Sequence, residues 1–316
     1  MSRNTRAIVV EAPGRLGLAS VPLAAALPNE VTIEVHALSL NRGEVKRALT
    51  MSAVGARPGW DIAGIVIEAA ADGSGPAIGR RVVGVLPTGA WSRQVRIPSH
   101  SVGTLPDAVT FAQAATLPVA GLTALLALRK GGLLLGHKVL VDGASGGVGH
   151  LGVQLAAGAG ATVYGHVRSP DQSPLIERYC NGGVIVGPTL EAAAAAAPYH
   201  LILDSVGGSA LAAALGMLRN GGACVTFGVS ESPHTPFDSA RFFRTAGVTL
   251  HGLMMFDEIR RGESAADGLE LLAGLVADGR LVPHISVEDD WSAIGTVAPR
   301  LLARAFPGKA VLHLED

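Results

Sequence analysis

The chain is expected to fold as an α/β protein, with a β-rich segment first and a doubly wound parallel sheet after it. Three features of the sequence carry that expectation. The first 110 residues alternate short runs of Val, Ile and Thr with Gly, Pro and Asn, the mark of short strands closed by turns. From about residue 137 strand-like runs alternate with helical ones, as βαβ units require. The apolar run Lys138-Val139-Leu140-Val141 breaks directly into DGASGGVG at 142–149, a bare backbone between a strand and a helix.

Taken in order, RAIVVEAPG, EVTIEVHALSLN, DIAGIVIEAAADG, RRVVGVLPTG and SRQVRIPSH read as strands of the first part. Pro106-Asp107 and the helical pattern from Phe111 to Leu128 mark a handover. That apolar stretch is broken by Gln113, Pro118 and Gly121 and ends at Arg129-Lys130, so it reads as a buried helix and not as a membrane span. KVLVDG is then a strand, VGHLGVQLAAGAG a helix, ATVYGHV a strand and SPLIERYCNGG a helix. GVIVG, HLILDSVGG and ACVTFGVS are further strands, with ALAAALGMLRNGG as a helix ending on glycines before the last of them. The run Ala192–Ala197 reads as an ordinary helix, and the tail from about 257 as one helix, ESAADGLELLAGLVADGR, and a closing strand, KAVLHLED.

Composition excludes several classes of function. With 316 residues the chain is long enough for two domains, and a net charge of −1 gives no electrostatic case for nucleic acid or an anionic membrane. Cys180 and Cys224 are the only cysteines, too few for a disulfide framework, and MSRNTRAIVVEAPG lacks the apolar length of a signal peptide. A cytoplasmic protein is expected.

The loop at 142–149 fits a dinucleotide fingerprint, in which helix N-terminal amides face a pyrophosphate. Gly146 is expected to make the tight turn and Gly149 to let helix pack closely on strand, with Ala144 in the first fingerprint position. A purely structural turn is the alternative. About 20 residues on, an NAD enzyme would carry an acidic residue for the ribose 2′-hydroxyl. Here the second strand ends in Val167-Arg168-Ser169. A guanidinium and a hydroxyl suit a 2′-phosphate, so the expected cofactor is NADPH, unless Arg168 is simply a solvated cation after a strand.

With these motifs in view the chain resembles the medium-chain dehydrogenase/reductases, in their zinc-independent quinone oxidoreductase and enoyl reductase branch. The blocks that carry the resemblance are LSLNRGEV (38–45), RPGWDIAGIV (57–66), GRRVVGVLPTGAWSRQVRIP (79–98), AATLPVAGLTALLAL (114–128), DGASGGVG (142–149), LILDSVGG (201–208) and FPGKAVLHL (306–314). The resemblance implies a GroES-like catalytic domain at 1–115, completed by 257–316, and a Rossmann domain at 116–256. It implies a small-molecule substrate and a homodimer.

Zinc relatives carry GHExxG; the same frame here reads Gly59-Trp60-Asp61-Ile62-Ala63-Gly64, no cysteine precedes Cys180, and no metal is expected. Asn41 matches the family's asparagine beside nicotinamide and substrate, although a turn residue ending a strand is as good a reading of it alone. By position, Ser145, Gly146, Gly147 and Val148 are expected at the pyrophosphate, and Arg168 and Ser169 at the 2′-phosphate. Ser205, Val206, Phe227, Gly228 and Val229 are expected at the carboxyl edge of the sheet, with Thr123, Gly308 and Lys309 also near the cofactor. Sheet core is the plainer reading of Phe227 and Val229, and an exposed cation that of Lys309. Trp60 and Trp91 read as core anchors before substrate platforms.

The reaction the resemblance implies is hydride transfer from NADPH to a quinone or an α,β-unsaturated carbonyl. Enoyl-thioester reductases of this kind carry a tyrosine proton donor in the first domain. Here Tyr164, Tyr179 and Tyr199 all fall in the Rossmann part. Glu44 and Lys46 are the nearby candidates, with exposed salt-bridge partners as the plainer reading. The gap leaves open a non-redox protein on this scaffold, either an NADPH-binding sensor or a cyclisation or addition enzyme of specialised metabolism.

Overall fold

The computed structural model describes residues 3–314, and the chain divides into two compact units. Unit 1 comprises residues 1–122 and 259–316, and unit 2 residues 123–258. The first crossing falls within helix Pro118–Arg129.

Unit 1 holds a seven-stranded sheet. Its order is Ile285–Asp290, Lys309–His313, Glu30–Leu40, Asp61–Glu68, Arg81–Val85 and Val102–Thr104, with Gln94–Pro98 pairing back onto Glu30–Leu40. A hairpin, Asn4–Ala12 with Arg15–Pro22, stands beside it. The alternating apolar residues of these strands close one core around Ile8, Ile33, Leu38, Ile62, Trp91 and Leu312. The closing strand lies antiparallel to Glu30–Leu40, so the two ends of the chain share one sheet. The tail is richer than its pattern suggests. Besides helix Ala265–Ala277 it contains strand Ile285–Asp290 and helix Ile294–Leu302. The strand is masked by its acidic run VEDD, which is mostly exposed at the sheet edge.

Unit 2 is a six-stranded, wholly parallel sheet. Its order is Gly183–Val186, Thr162–Val167, Lys138–Asp142, Tyr199–Asp204, Leu218–Thr226 and Thr249–Gly252. Numbered within the unit this is 3-2-1-4-5-6, the doubly wound arrangement whose switch point lies between the first and fourth strands. Three expected helices differ. SPLIERYCNGG folds as two 3₁₀ turns, Pro170–Leu175 and Glu177–Tyr179. Leu190–Ala196 is also 3₁₀. Gly221 and Gly222 do not end a helix. The helix stops at Leu215 and the glycines lie inside strand Leu218–Thr226 at a register shift, where Gly221 takes the left-handed φ of 71°. Among the described residues no helix is long and apolar enough to cross a membrane.

Candidate active site

Three strands of unit 1 deliver one buried polar cluster. The register of Glu30–Leu40 on Asp61–Glu68 sets Ser39 opposite Asp61, and its register on Lys309–His313 sets Leu40 opposite Ala310. Asn41 therefore leaves its strand beside Lys309. Ser39 Oγ donates to Asp61 Oδ2 at 2.6 Å, and the Val119 amide donates to Asp61 Oδ1 at 2.9 Å. Lys309 Nζ donates to Asn41 Oδ1 at 2.6 Å and to the Leu40 carbonyl at 3.1 Å, and stands 3.4 Å from Asp61 Oδ2. With Oδ1 held by the ammonium, the Asn41 amide turns its Nδ2 to the acids, donating to Asp61 Oδ2 at 2.6 Å and Glu44 Oε1 at 3.0 Å.

Asn41 is also the N-cap of helix Arg42–Thr50, and its own amide donates to Glu44 Oε1 at 2.7 Å. This contact seats the Glu44 carboxyl. Lys309, Asp61 and Glu44 are 1%, 0% and 2% exposed, so neither Lys309 nor Glu44 is the surface charge a propensity reading offers. Lys46, on the same helix, is exposed. The cluster holds two carboxyls and one ammonium. Burial and the neighbouring Asp61 push the Glu44 carboxyl well above the usual carboxylate range, against the lowering pull of Lys309 and the Asn41 hydrogen bonds. Glu44 Oε2 has no partner among the described residues.

Glu44 forms part of the wall of a small pocket of about 90 Å³ in unit 1, together with Arg47, Arg57, Pro58, Trp60 and Pro87. Trp60 is held there by Nε1 donating to the Pro87 carbonyl at 3.0 Å. Trp91 is fully buried, with Nε1 donating to the Ser39 carbonyl at 3.2 Å, and anchors the core. A catalytic zinc does not fit this frame. Trp60 offers an indole donor where a ligand would stand, Asp61 Oδ2 is shared by three donors, and both cysteines are buried in unit 2.

In unit 2 the glycine loop leaves strand Lys138–Asp142 and enters helix Gly149–Gly158 at the switch point of the sheet. The left-handed residue is Gly143, at φ 69°, and not Gly146, whose amide instead donates to the Gly143 carbonyl at 2.9 Å. A Cβ on Gly149 would lie 2.2 Å from the Gly143 carbonyl oxygen and 2.7 Å from Ala144 Cα, so helix and loop meet backbone to backbone. No side chain caps the helix start at Val148. These features fit a phosphate-bearing cofactor, which Ser145, Gly146, Gly147 and Val148 would hold.

The neighbouring strand ends are tied to the loop. Ser205 Oγ donates to the Asp142 carbonyl at 3.2 Å. Asp204, fully buried, accepts from the Val206 and Gly207 amides and from Thr226 Oγ1, while the Phe227 amide donates to its carbonyl. Gly228 packs against the Ser205 backbone, and Val229 is 53% exposed. His166 Nδ1 lies 2.7 Å from Asp142 Oδ1 and its Nε2 3.1 Å from the Gly187 carbonyl. Arg168 is exposed and makes no hydrogen bond or ion pair among the described residues, and Ser169 bonds to Asp171. Thr123 is buried at the first residue of the unit. Gly308 and Lys309 belong to unit 1, where the lysine's ammonium faces the Asn41 cluster.

Sequence reasoning passed over Asp61, and it offered Glu44 as a nearby proton-source candidate with an exposed salt-bridge partner as the plainer reading. The N-cap Asn41 followed three residues later by Glu44 is a local signal for that carboxyl's place. Nothing local announces Asp61 or the pair Asp142–His166.

Residues 27–124 match the alcohol dehydrogenase GroES-like domain family, and residues 147–273 the zinc-binding dehydrogenase family. The chain belongs to the medium-chain dehydrogenase/reductases. Its place in the quinone oxidoreductase and enoyl reductase-like branch agrees with its structural neighbours. The Coxiella burnetii quinone oxidoreductase aligns with a TM-score of 0.83 at 25% identity, covering 99% of this chain and 100% of that one. The CurK enoyl reductase aligns at 0.84 and 23%, covering 98% and 99%. The Escherichia coli quinone oxidoreductase complexed with NADPH aligns at 0.86 and 22%, covering 98% and 100%.

Among curated proteins, the spectinabilin polyketide synthase system protein NorB of Streptomyces orinoci is 33% identical over 237 residues, 68% of this chain and 10% of that protein. The human synaptic vesicle membrane protein VAT-1 homolog is 28% identical over 310 residues, 90% of this chain and 79% of that one. The chain spans no more than a tenth of the polyketide synthases it matches first. This medium-chain dehydrogenase/reductase thus has an oxidoreductase fold with a nicotinamide-type cofactor domain.

Proposed function

We propose that the chain is an NADPH-dependent reductase that passes hydride, without a metal, to a quinone or an α,β-unsaturated carbonyl. The observation that carries the reading is the glycine loop at the sheet's switch point followed by the unpaired Arg168 at the end of the next strand. The loop's amides at Ser145–Val148 hold the pyrophosphate, and Arg168 with Ser169 holds the 2′-phosphate. Ser205, Val206, Phe227, Gly228 and Val229 line the nicotinamide half on the same sheet edge, with Thr123 behind them. Asn41, Gly308 and Lys309 are the contribution of unit 1. When bound, NADPH supplies the two electrons as hydride.

The chain's own residues do the remaining work. Lys309 and Asp61 lock Asn41 in one orientation, and Asn41 in turn seats Glu44 in the pocket wall before substrate arrives. Trp60, Pro58 and Pro87 give that pocket apolar walls for a planar acceptor, while Arg47 and Arg57 supply positive charge for an oxygen that becomes negative.

The test is a binding titration of the purified protein with NADPH and NADH, followed by addition of a quinone and an enone while nicotinamide absorbance is recorded. The expected result is preferential NADPH binding and acceptor-dependent oxidation. Arg168→Ala should weaken NADPH binding by about 10- to 100-fold and leave NADH nearly untouched. Equal losses for both would remove Arg168 from the 2′-phosphate site. Binding without consumption across quinones, enones and enoyl thioesters would favour a non-redox protein. Light scattering of the same sample tests the proposed homodimer.

A further inference from the structure

We infer that Glu44, a residue of the unit 1 pocket wall, is the proton donor for carbon–carbon double-bond reduction, giving its carboxyl hydrogen to the acceptor. The inference rests on the reductase reading above and deepens it by selecting an α,β-unsaturated carbonyl as the substrate class.

Three observations meet at this side chain. The carboxyl is almost wholly buried, and the Asn41 amide and Nδ2 occupy one oxygen while Oε2 has no partner among the described residues. An ionised Glu44 would add a second buried negative charge beside Asp61 against the single ammonium of Lys309, which the site disfavours. A neutral carboxylic acid removes that charge and carries a hydrogen to give.

Glu44 also lines the pocket itself. The other pocket groups with O–H or N–H are committed. Thr88 Oγ1 donates to the Arg57 carbonyl at 2.6 Å, Ser52 Oγ to the Arg47 carbonyl at 3.1 Å, and Trp60 Nε1 to the Pro87 carbonyl. Arg57 Nη1 and Nη2 donate to the Pro22 carbonyl and to Ser92 Oγ. All three tyrosines lie in unit 2.

The step balances. Hydride from NADPH forms a C–H bond at the acceptor's β-carbon, and the C=C pair moves onto the α-carbon and carbonyl as an enolate. The α-carbon then takes the proton, with the O–H bonding pair remaining on Glu44 as carboxylate. NADPH is oxidised to NADP⁺, the double bond is reduced by two electrons, and water restores the Glu44 proton. A quinone needs no such donor, because its reduced oxygens take protons from solvent.

The charged groups that face Glu44 are Asp61 and Lys309 from two strands of the sheet, Arg47 on its own helix and Arg57 on the loop before Trp60. Glu44→Gln keeps an oxygen for the Asn41 amide and removes the acid. Enone reduction should fall about 100-fold or more, and at least ten times further than quinone reduction measured with the same sample. The enone KM and the NADPH Kd should stay within about 3-fold. Wild-type enone turnover should decline as pH rises, and the residual rate of the glutamine variant should lose that decline. Glu44→Asp, which keeps an acid one methylene shorter, should recover part of the rate.

An infrared difference spectrum of wild type against Glu44→Gln at neutral pH should show the carbonyl stretch of a protonated carboxylic acid. Absence of that band, or equal losses with enone and quinone, overturns the role of Glu44 alone. Wild-type protein that oxidises NADPH with no acceptor of either kind overturns the reductase reading and the role with it.

Discussion

The two buried acids Asp204 and Glu44 have opposite situations. Asp204, in unit 2, has every oxygen occupied, by two backbone amides and the Thr226 hydroxyl, and it pins the turn after its strand. Glu44, in unit 1, has one oxygen held by Asn41 and the other buried without a hydrogen-bond partner among the described residues, and the residue lines a pocket. Burial raises both carboxyls. The difference lies in what each is free to do. A fully satisfied acid fixes backbone, whereas a half-satisfied one is costly to keep and marks a place where chemistry compensates elsewhere.

The strongest way to break this comparison is to remove the cation of unit 1. Lys309→Met leaves Asp61 and Glu44 buried without a counter-charge, and the unfolding free energy measured by denaturant should fall by about 3–5 kcal/mol at neutral pH. A loss below about 1 kcal/mol would mean that the cluster is solvated and that its charge balance decides little. Next comes the backbone contact of unit 2. Gly149→Ala forces a Cβ against the Gly143 carbonyl and should cost about 1–3 kcal/mol together with a loss of NADPH binding. Gly158→Ala, in the same helix with nothing near its Cβ, should be neutral or slightly stabilising in the same thermal melts.

The smallest effect sharpens the comparison most. The folded-state pKa of Glu44 is raised above its unfolded value, so its contribution is fully present below the unfolded pKa and is lost as pH rises toward the folded pKa. Glu44→Gln should flatten the decline in stability as pH rises above the ordinary carboxylate range, relative to wild type. An unchanged slope in urea melts across that window would show that Glu44 ionises freely in the folded protein.

Much of unit 2 was legible from residues alone. The apolar run into DGASGGVG, the alternation after residue 137 and Arg168 at the second strand's end are local signals, and the parallel sheet carries them in the expected order. The misread helices show where local signals stop. One of them forms two 3₁₀ segments, and Gly221 and Gly222 fall at a register shift inside a strand. Unit 1 was legible as strands but not as a site. Asn41 stood out through its block LSLNRGEV and Lys309 through the GK before the last strand, with an exposed cation as its plainer reading, whereas Asp61 passed unremarked beside Trp60.

By itself the sequence determined the α/β class, the glycine loop with its position between strand and helix, the lack of a histidine or cysteine where a zinc ligand would stand, and the lack of a tyrosine in unit 1. Each follows from residue identity or short-range spacing. Only the tertiary structure decided that Asn41, Asp61 and Lys309, up to 268 positions apart, form one hydrogen-bonded cluster. It alone decided that Glu44 is buried with a free oxygen and that Gly143, and not Gly146, takes the left-handed turn. The reason is physical. Strand register brings distant residues together, and the protonation state of a carboxyl depends on the water and charges around it, neither of which is written in the residue itself.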